Sequence, residues 1–208
     1  MLSSLVGVMP DEVDKEFIRR LKRRDEVAFN IFVRDHQRQV FRIVFRMLGN
    51  QAEAEEVAQE VFITVFKAIE NFREESRLST WLYRIAVNHT KNRIKYLARR
   101  AHGSKRTFDE FADREAVESA TMHTSSALPR PDEMAQAREA ESILQNALYQ
   151  LDSEFRELVV LRDIENMSYR DIGEITGLAE GTVKSRLHRA RLALREQAQK
   201  ERKRRRVK

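Results

Sequence analysis

SYRDIGEITGLAEGTVKSRLHRARLAL, running from Ser168 to Leu194, decides the fold. The spacing predicts a short helix from about Tyr169 to Thr176, with Ile172 and Ile175 facing inward. Gly177 stands where the chain must turn. Such a turn often needs φ > 0, which glycine reaches without a Cβ clash. A second helix starts near Glu180, Gly181 and Thr182. Its apolar stripe, Val183, Leu187, Ala190 and Leu194, is spaced i, i+4, i+7, i+11. The opposite face carries Lys184, Ser185, His188 and Arg189. A helix divided in this way packs on its partner and still offers side chains to a DNA major groove. The alternative is an ordinary surface helix with solvated charges. A helix-turn-helix alone does not say what kind of regulator carries it.

The rest of the composition agrees with a helical nucleic-acid partner. The chain has 208 residues, enough for one or two domains with modest cores. Lys and Arg number 39 against 33 Asp and Glu, a balance that fits a polyanionic partner. The charge is uneven. From Asn146 to Ala179 seven acids stand against three Arg; from Glu180 onward three acids stand against twelve Lys and Arg. The positive field therefore lies on the second helix and the tail KERKRRRVK. We expect that tail to be disordered and to add sequence-independent attraction to phosphates, or else to serve only solubility. In the first case, removing Lys200–Lys208 weakens binding equally on all DNA sequences and reduces its salt dependence.

Cysteine is absent, which excludes disulfides and thiolate metal sites and suits a reducing cytoplasm. No apolar run approaches the ~20 residues of a membrane helix, so no membrane insertion is expected. The opening MLSSLVGVMP lacks a basic n-region and is short for a secretory signal, and Met9 is an alternative start. There is no Gly-rich phosphate loop. His36, His89, His102, His123 and His188 are scattered singly, with no cluster at metal spacing. We therefore expect no catalytic residues, no metal and no cofactor.

Only six Gly and three Pro, with a 3.6-residue period nearly throughout, predict an all-α protein. Two small helical domains joined by a flexible linker are expected, the C-terminal one a helix-turn-helix. The domains span 11–100 and 132–200, with a linker over 101–131 and a basic tail over 201–208. The linker is polar, contains TSSALPRP, and has room for a short helix around Phe108 to Ala120. Asp132 after Pro131 is expected to cap the next helix. Helices follow near 133–150, 153–164, 169–176 and 181–200. Asp152 or Ser153 caps the second of these, with Phe155, Leu158, Val159 and Leu161 as core.

Two further segments carry chemistry. In EAEEVAQEVFITVFKAIENF (53–72), Ala54, Val57, Ala58, Val61, Phe62, Val65, Phe66 and Ile69 trace a deeply packed stripe. The other face holds Glu53, Glu55, Glu56, Gln59 and Glu60. Acids near a helix N-terminus are favourable in themselves. If this patch binds anything, the partner is a basic protein surface rather than DNA. In NFREESRLSTWLYRIAVNHTKNRIKYLARR (71–100), Leu78, Leu82, Ile85 and Ala86 form the core side. Trp81, Arg84, Asn88, Lys91 and Lys95 line the far side. Cations that track phosphates, an amide for a base edge and an indole for stacking suit single-stranded nucleic acid. The polar loop Asn71–Ser79 suits a pocket for an unstacked base. A core role for Trp81 with solvated charges is the competing reading.

Taken together and in this order, the three segments resemble the extracytoplasmic-function group of bacterial RNA polymerase sigma factors. AEEVAQEVF (54–62) is similar to their polymerase-docking motif, STWLYRIAVNHTKNR (79–93) to their promoter-melting helix, and EGTVKSRLHRAR (180–191) to their last recognition helix. The resemblance covers about Asp11 to Gln197. It implies that Glu55, Glu56, Gln59 and Glu60 bind core RNA polymerase. It implies that Asn71, Phe72, Arg73, Ser79, Thr80, Trp81, Arg84, Asn88, Lys91 and Asn92 engage the single-stranded minus-ten element. It places Thr182, Lys184, Ser185, His188 and Arg189 on the duplex minus-35 element, with Arg186 and Arg191 on phosphates. It implies a cytoplasmic, nucleoid-associated transcription initiation factor, of a stress or envelope response, restrained by an anti-sigma factor. Glu56 stands where Asp is common, and Gly173 where Ala is usual, at a cost of ~1 kcal/mol of helix propensity. Two rival functions stay open here. One is a stand-alone regulator that never joins polymerase; the other is an antagonist whose sigma-like surfaces bind regulators.

Overall fold

The computed structural model describes residues 10–103 and 131–206, all helix and short connections among those residues. The expected linker helix near Phe108–Ala120, the alternative start at Met9 and the last two residues of the tail lie outside the described residues. The N-terminal half comprises α1 (Pro10–Lys22), α2 (Glu26–Leu48), α3 (Gln51–Ala68), a 3₁₀ turn (Ile69–Asn71) and α4 (Leu78–Gly103). The C-terminal half comprises α5 (Pro131–Tyr149), α6 (Ser153–Val159) running into a π-helical turn (Val160–Ile164), α7 (Tyr169–Thr176) and α8 (Glu180–Arg206).

Short polar side chains set the starts of α2, α3 and α7. Asp25 accepts from the Ala28 N–H and Asn50 from the Glu53 N–H, at 3.0 and 2.9 Å. At α7, Ser168 Oγ accepts from the Asp171 N–H and donates to the Asp171 carboxylate. Glycines at positive φ close two helices: Gly49 (φ 74°) ends α2 and Gly177 (φ 75°) ends α7. Two expected caps differ. Helix α5 already begins at Pro131, so Asp132 falls inside its first turn, where proline's fixed φ favours a start. Asp152 holds the cap position of α6 without a side-chain hydrogen bond.

In the N-terminal half the core is the stripe that periodicity predicts. Ala54, Val57, Val61, Val65 and Ile69 are buried against Phe32, Ile43, Met47, Leu82 and Ala86. Ala58, Phe62 and Ile85 pack at its edge. In the C-terminal half Ile172, Ile175, Val183, Leu187 and Ala190 are buried with Leu158, Val159 and Leu161. Truncating Leu187 to Ala removes packing worth about 2–5 kcal/mol. The expected disordered tail is instead helical through Arg206. Its last turns are tied down: Arg205 donates to Glu201 and Ser142, and Asn146 donates to Glu201.

The two halves pack together. Arg156 of α6 is buried, and its guanidinium donates to the carbonyls of Leu148, Tyr149 and Leu151 and, across the seam, of Met47. It thereby satisfies carbonyls that helix ends leave open. Burial pushes its pKa down from the ordinary guanidinium value.

Candidate functional site

Three faces collect the residues singled out in the sequence. On α3, Glu55, Glu56 and Gln59 are exposed and Glu60 half-exposed, all on the side away from the apolar stripe. The sequence reading missed their counterion. Arg93 of α4 donates to Glu53, Glu56 and Glu60 at 2.8, 3.0 and 3.0 Å. Its side chain is only 14% exposed, whereas that of Glu56 is 59% exposed. The cation therefore lies beneath the carboxylates and fixes them from below. The Arg93 hydrogen bond holds the Glu56 carboxyl below the usual carboxylate range. The signal was present in the sequence: Arg93 lies seven residues after Ala86 and eleven after Leu82, on the core stripe of α4. A cation on a buried stripe requires an acidic partner.

The α4 face expected to engage a single strand is partly covered. Asn88, Asn92 and Lys95 are exposed. Arg84 and Asn88 line a groove of about 750 Å³ whose other wall is Tyr169, Arg170, Gly173 and Glu174 of α7. Lys91 pairs with Glu157 of α6 at 3.0 Å. Trp81 is half-buried and tilts against Phe72, with ring centroids 5.2 Å apart. One indole face is thus already packed. In the preceding loop Asn71 and Arg73 are exposed and Ser79 half-exposed, while Phe72 and Thr80 are buried. Phe72 supports the loop from the core in this arrangement. Thr80 Oγ1 lies 3.5 Å from the Asp171 carboxylate.

On α8, Lys184, Ser185, His188 and Arg189 are all exposed along one side, and Thr182 is half-buried at its start. Arg186 and Arg191 are engaged within the same half. Arg186 donates to Glu154 at 2.8 Å, and Arg191 grips both oxygens of Asp163. Lys184, Ser185, His188 and Arg189 form one exposed polar face, while the two paired arginines anchor α8 to α6 and the π-helical turn. No group of His, Asp and Glu among the described residues is arranged to hold a metal ion, and no described helix is long and apolar enough to cross a membrane.

Comparison with known proteins agrees with this arrangement. A family model described as Sigma-70 region 2 matches residues 32–100, and one described as Sigma-70, region 4 matches residues 141–194. The chain is 34% identical over 187 residues to the RNA polymerase sigma-H factor of Pseudomonas aeruginosa, covering 90% of this chain and 94% of that protein. It is 35% identical to the ECF RNA polymerase sigma factor SigW of Bacillus subtilis, covering 88% and 95%. Its fold is similar to that of a sigma factor, RpoE, solved with the anti-sigma factor NepR from Bartonella quintana. That match has a TM-score of 0.61 at 23% identity, covering 82% of this chain and 96% of that one.

Proposed function

This chain belongs to the extracytoplasmic-function group of RNA polymerase sigma factors, and from that premise we propose which of its faces does which task. Proteins of this kind are not enzymes; their regions 2 and 4 bind core polymerase and promoter DNA. In our reading residues 11–100 form the docking and melting domain, 101–131 the linker, 132–200 the minus-35 domain and 201–208 a basic extension. Glu55, Glu56, Gln59 and Glu60 of α3 hold core polymerase. The loop Asn71–Thr80 and the α4 face Trp81, Arg84, Asn88, Lys91 and Asn92 hold the unpaired minus-ten strand. Thr182, Lys184, Ser185, His188 and Arg189 read the duplex minus-35 element.

One observation carries this division: α3 and α4 are neighbours with opposite surface character. The acids of α3 repel phosphates and suit a basic protein. The cations and amides of α4 suit a strand. Capturing unstacked bases offsets the few kcal/mol of unstacking. A linker of about 30 residues reaches ~100 Å when extended. It therefore spans two DNA targets about two turns of ~34 Å apart. Restraint by an anti-sigma factor is part of the proposal, supported by the complex in which the similar fold of RpoE was solved. A role in a stress response and action at the nucleoid in the cytoplasm complete it.

The test is reconstituted transcription from a promoter library with core polymerase and this chain. His188→Ala/Arg189→Ala is expected to lose duplex binding and promoter choice. Asn88→Ala/Trp81→Ala is expected to keep duplex binding and lose strand opening, read by permanganate reactivity of unpaired thymines. Equal opening by the wild type and the second variant contradicts the assignment of α4.

A further inference from the structure

The exposed face of α8 does not stop at Arg189. Ser185, His188, Arg189 and Leu192 are spaced i, i+3, i+4, i+7 and therefore share one side of the helix. Leu192 is 45% exposed, the one large apolar side chain of α8 that stands out into solvent among the described residues. The two residues after it behave differently, since Ala193 and Leu194 pack against the core. Arg186 holds Glu154, and Arg191 grips both oxygens of Asp163. These pairs fix the rotation of α8 about its own axis, and Leu192 is held outward with the four polar side chains. A single exposed leucine is ordinary on a protein surface, so its place decides its meaning. Arg189 and Arg195, both exposed, stand three residues before and three after it. An apolar patch of another protein fits poorly between two cations. A base edge bordered by two phosphate backbones fits well. Glu196, one turn beyond Leu192 and also exposed, repels phosphates and marks the outer limit of that surface.

We infer that Leu192 is a further reader of the duplex, placed against the C5-methyl group of a thymine. Thymine is the base that presents an apolar group in the major groove. The rise from Lys184 to Leu192 is about 12 Å, which is three to four base pairs at ~3.4 Å each. The thymine therefore lies at the end of the element farther from Lys184, beside the base pair that Arg189 meets. This rests on the assignment of α8 to the minus-35 element proposed above. The polar residues choose bases by hydrogen bonds, and Leu192 adds a choice that no hydrogen bond makes.

The experiment uses the full chain and the duplex that it selects from a pool of randomised duplexes, labelled with fluorescein and read by anisotropy. Each thymine is replaced in turn by deoxyuridine, which removes the methyl group and keeps every hydrogen-bonding atom. One replacement is expected to weaken wild-type binding about fourfold, the worth of one buried methyl group. Leu192→Ala is expected to bind the thymine duplex more weakly by at least as much. It should also be indifferent to that replacement, so that the two changes are not additive. Leu192→Met keeps an apolar reach and should keep the thymine preference. Unchanged thermal melting shows that both variants are folded. Absence of any methyl-sensitive thymine overturns the inference, as does the same methyl sensitivity in Leu192→Ala as in the wild type. Failure of the underlying assignment has a different signature. If His188→Ala/Arg189→Ala binds the selected duplex as tightly as the wild type, α8 is not the reader, and the role of Leu192 falls with it. If that variant loses binding while Leu192→Ala keeps its methyl sensitivity, only the role of Leu192 falls.

Discussion

Arg93 and His36 show how single side chains prepare this surface. Arg93 sits beneath three carboxylates, and the second oxygen of Glu60 lies 3.5 Å from His89 Nδ1. Removing it makes the patch more negative, which alone would favour a basic partner. It also frees three like charges to repel and loses the order imposed by the fork. We predict that Arg93→Met weakens core-polymerase binding several-fold, and that Arg93→Lys recovers only part of it. Without its partner the Glu56 carboxyl returns toward its usual range, so acid loss of binding should begin at a higher pH in the variant. A titration of binding against pH checks both. His36 lies against Phe32 and 3.3 Å from Tyr83 Oη. Burial pushes its pKa down, while burial pushes the Tyr83 phenol up to about 12. A histidine whose folded pKa is depressed gives full stability above its unfolded value of about 6.5, and loses it as pH falls through the folded value. Thermal melting is expected to fall on acidification below that point, and His36→Gln to flatten the fall. The four exposed residues of α8 were legible from periodicity alone. Arg93 was not singled out, because a cation on a core stripe reads as an exception until its three partners are seen.

At the scale of elements, the two helix-ending glycines separate strain from packing. Gly177 has φ 75° and nothing near the position of a Cβ, so Gly177→Ala meets only the left-handed backbone cost, about 1–2 kcal/mol. Gly49 has φ 74°, and a Cβ there would lie 2.7 Å from the ring of Tyr149 in the other half. Gly49→Ala should therefore melt at a lower temperature than Gly177→Ala, which differential scanning calorimetry reveals. Helix α8 carries a second separation. Glu201 links Arg205 and Asn146, so deleting Lys200–Lys208 removes cations and a packed helical end at once. Glu201→Ala is expected to lower stability while sparing salt-dependent DNA affinity; the deletion should lower both. The helices of the C-terminal half were legible because their 3.6-residue stripes stand between turn signals such as Gly177, whereas α1 and α2 were read only as part of one helical block. The end of α8 was misread because a run of Lys and Arg looks disordered on charge alone. Its anchors, Ser142 and Asn146, lie more than fifty residues earlier.

At the scale of the whole molecule, the sequence carried the three faces but not their relation. The pair Arg42–Glu165 joins residues 123 positions apart across the linker, and no local pattern foretells such a contact. What was legible was its residue: an acidic surplus over 146–179 that promoter binding left unused. The central claim is that α3 joins this chain to core RNA polymerase. The most direct measurement is co-elution of the purified chain with bacterial core polymerase, with Glu56→Lys/Gln59→Ala as the matched variant. The account predicts that the wild type co-elutes and the variant does not, while both bind duplex DNA equally well. Co-elution of both to the same extent contradicts the docking role of α3, and co-elution of neither leaves a stand-alone DNA-binding regulator as the better description.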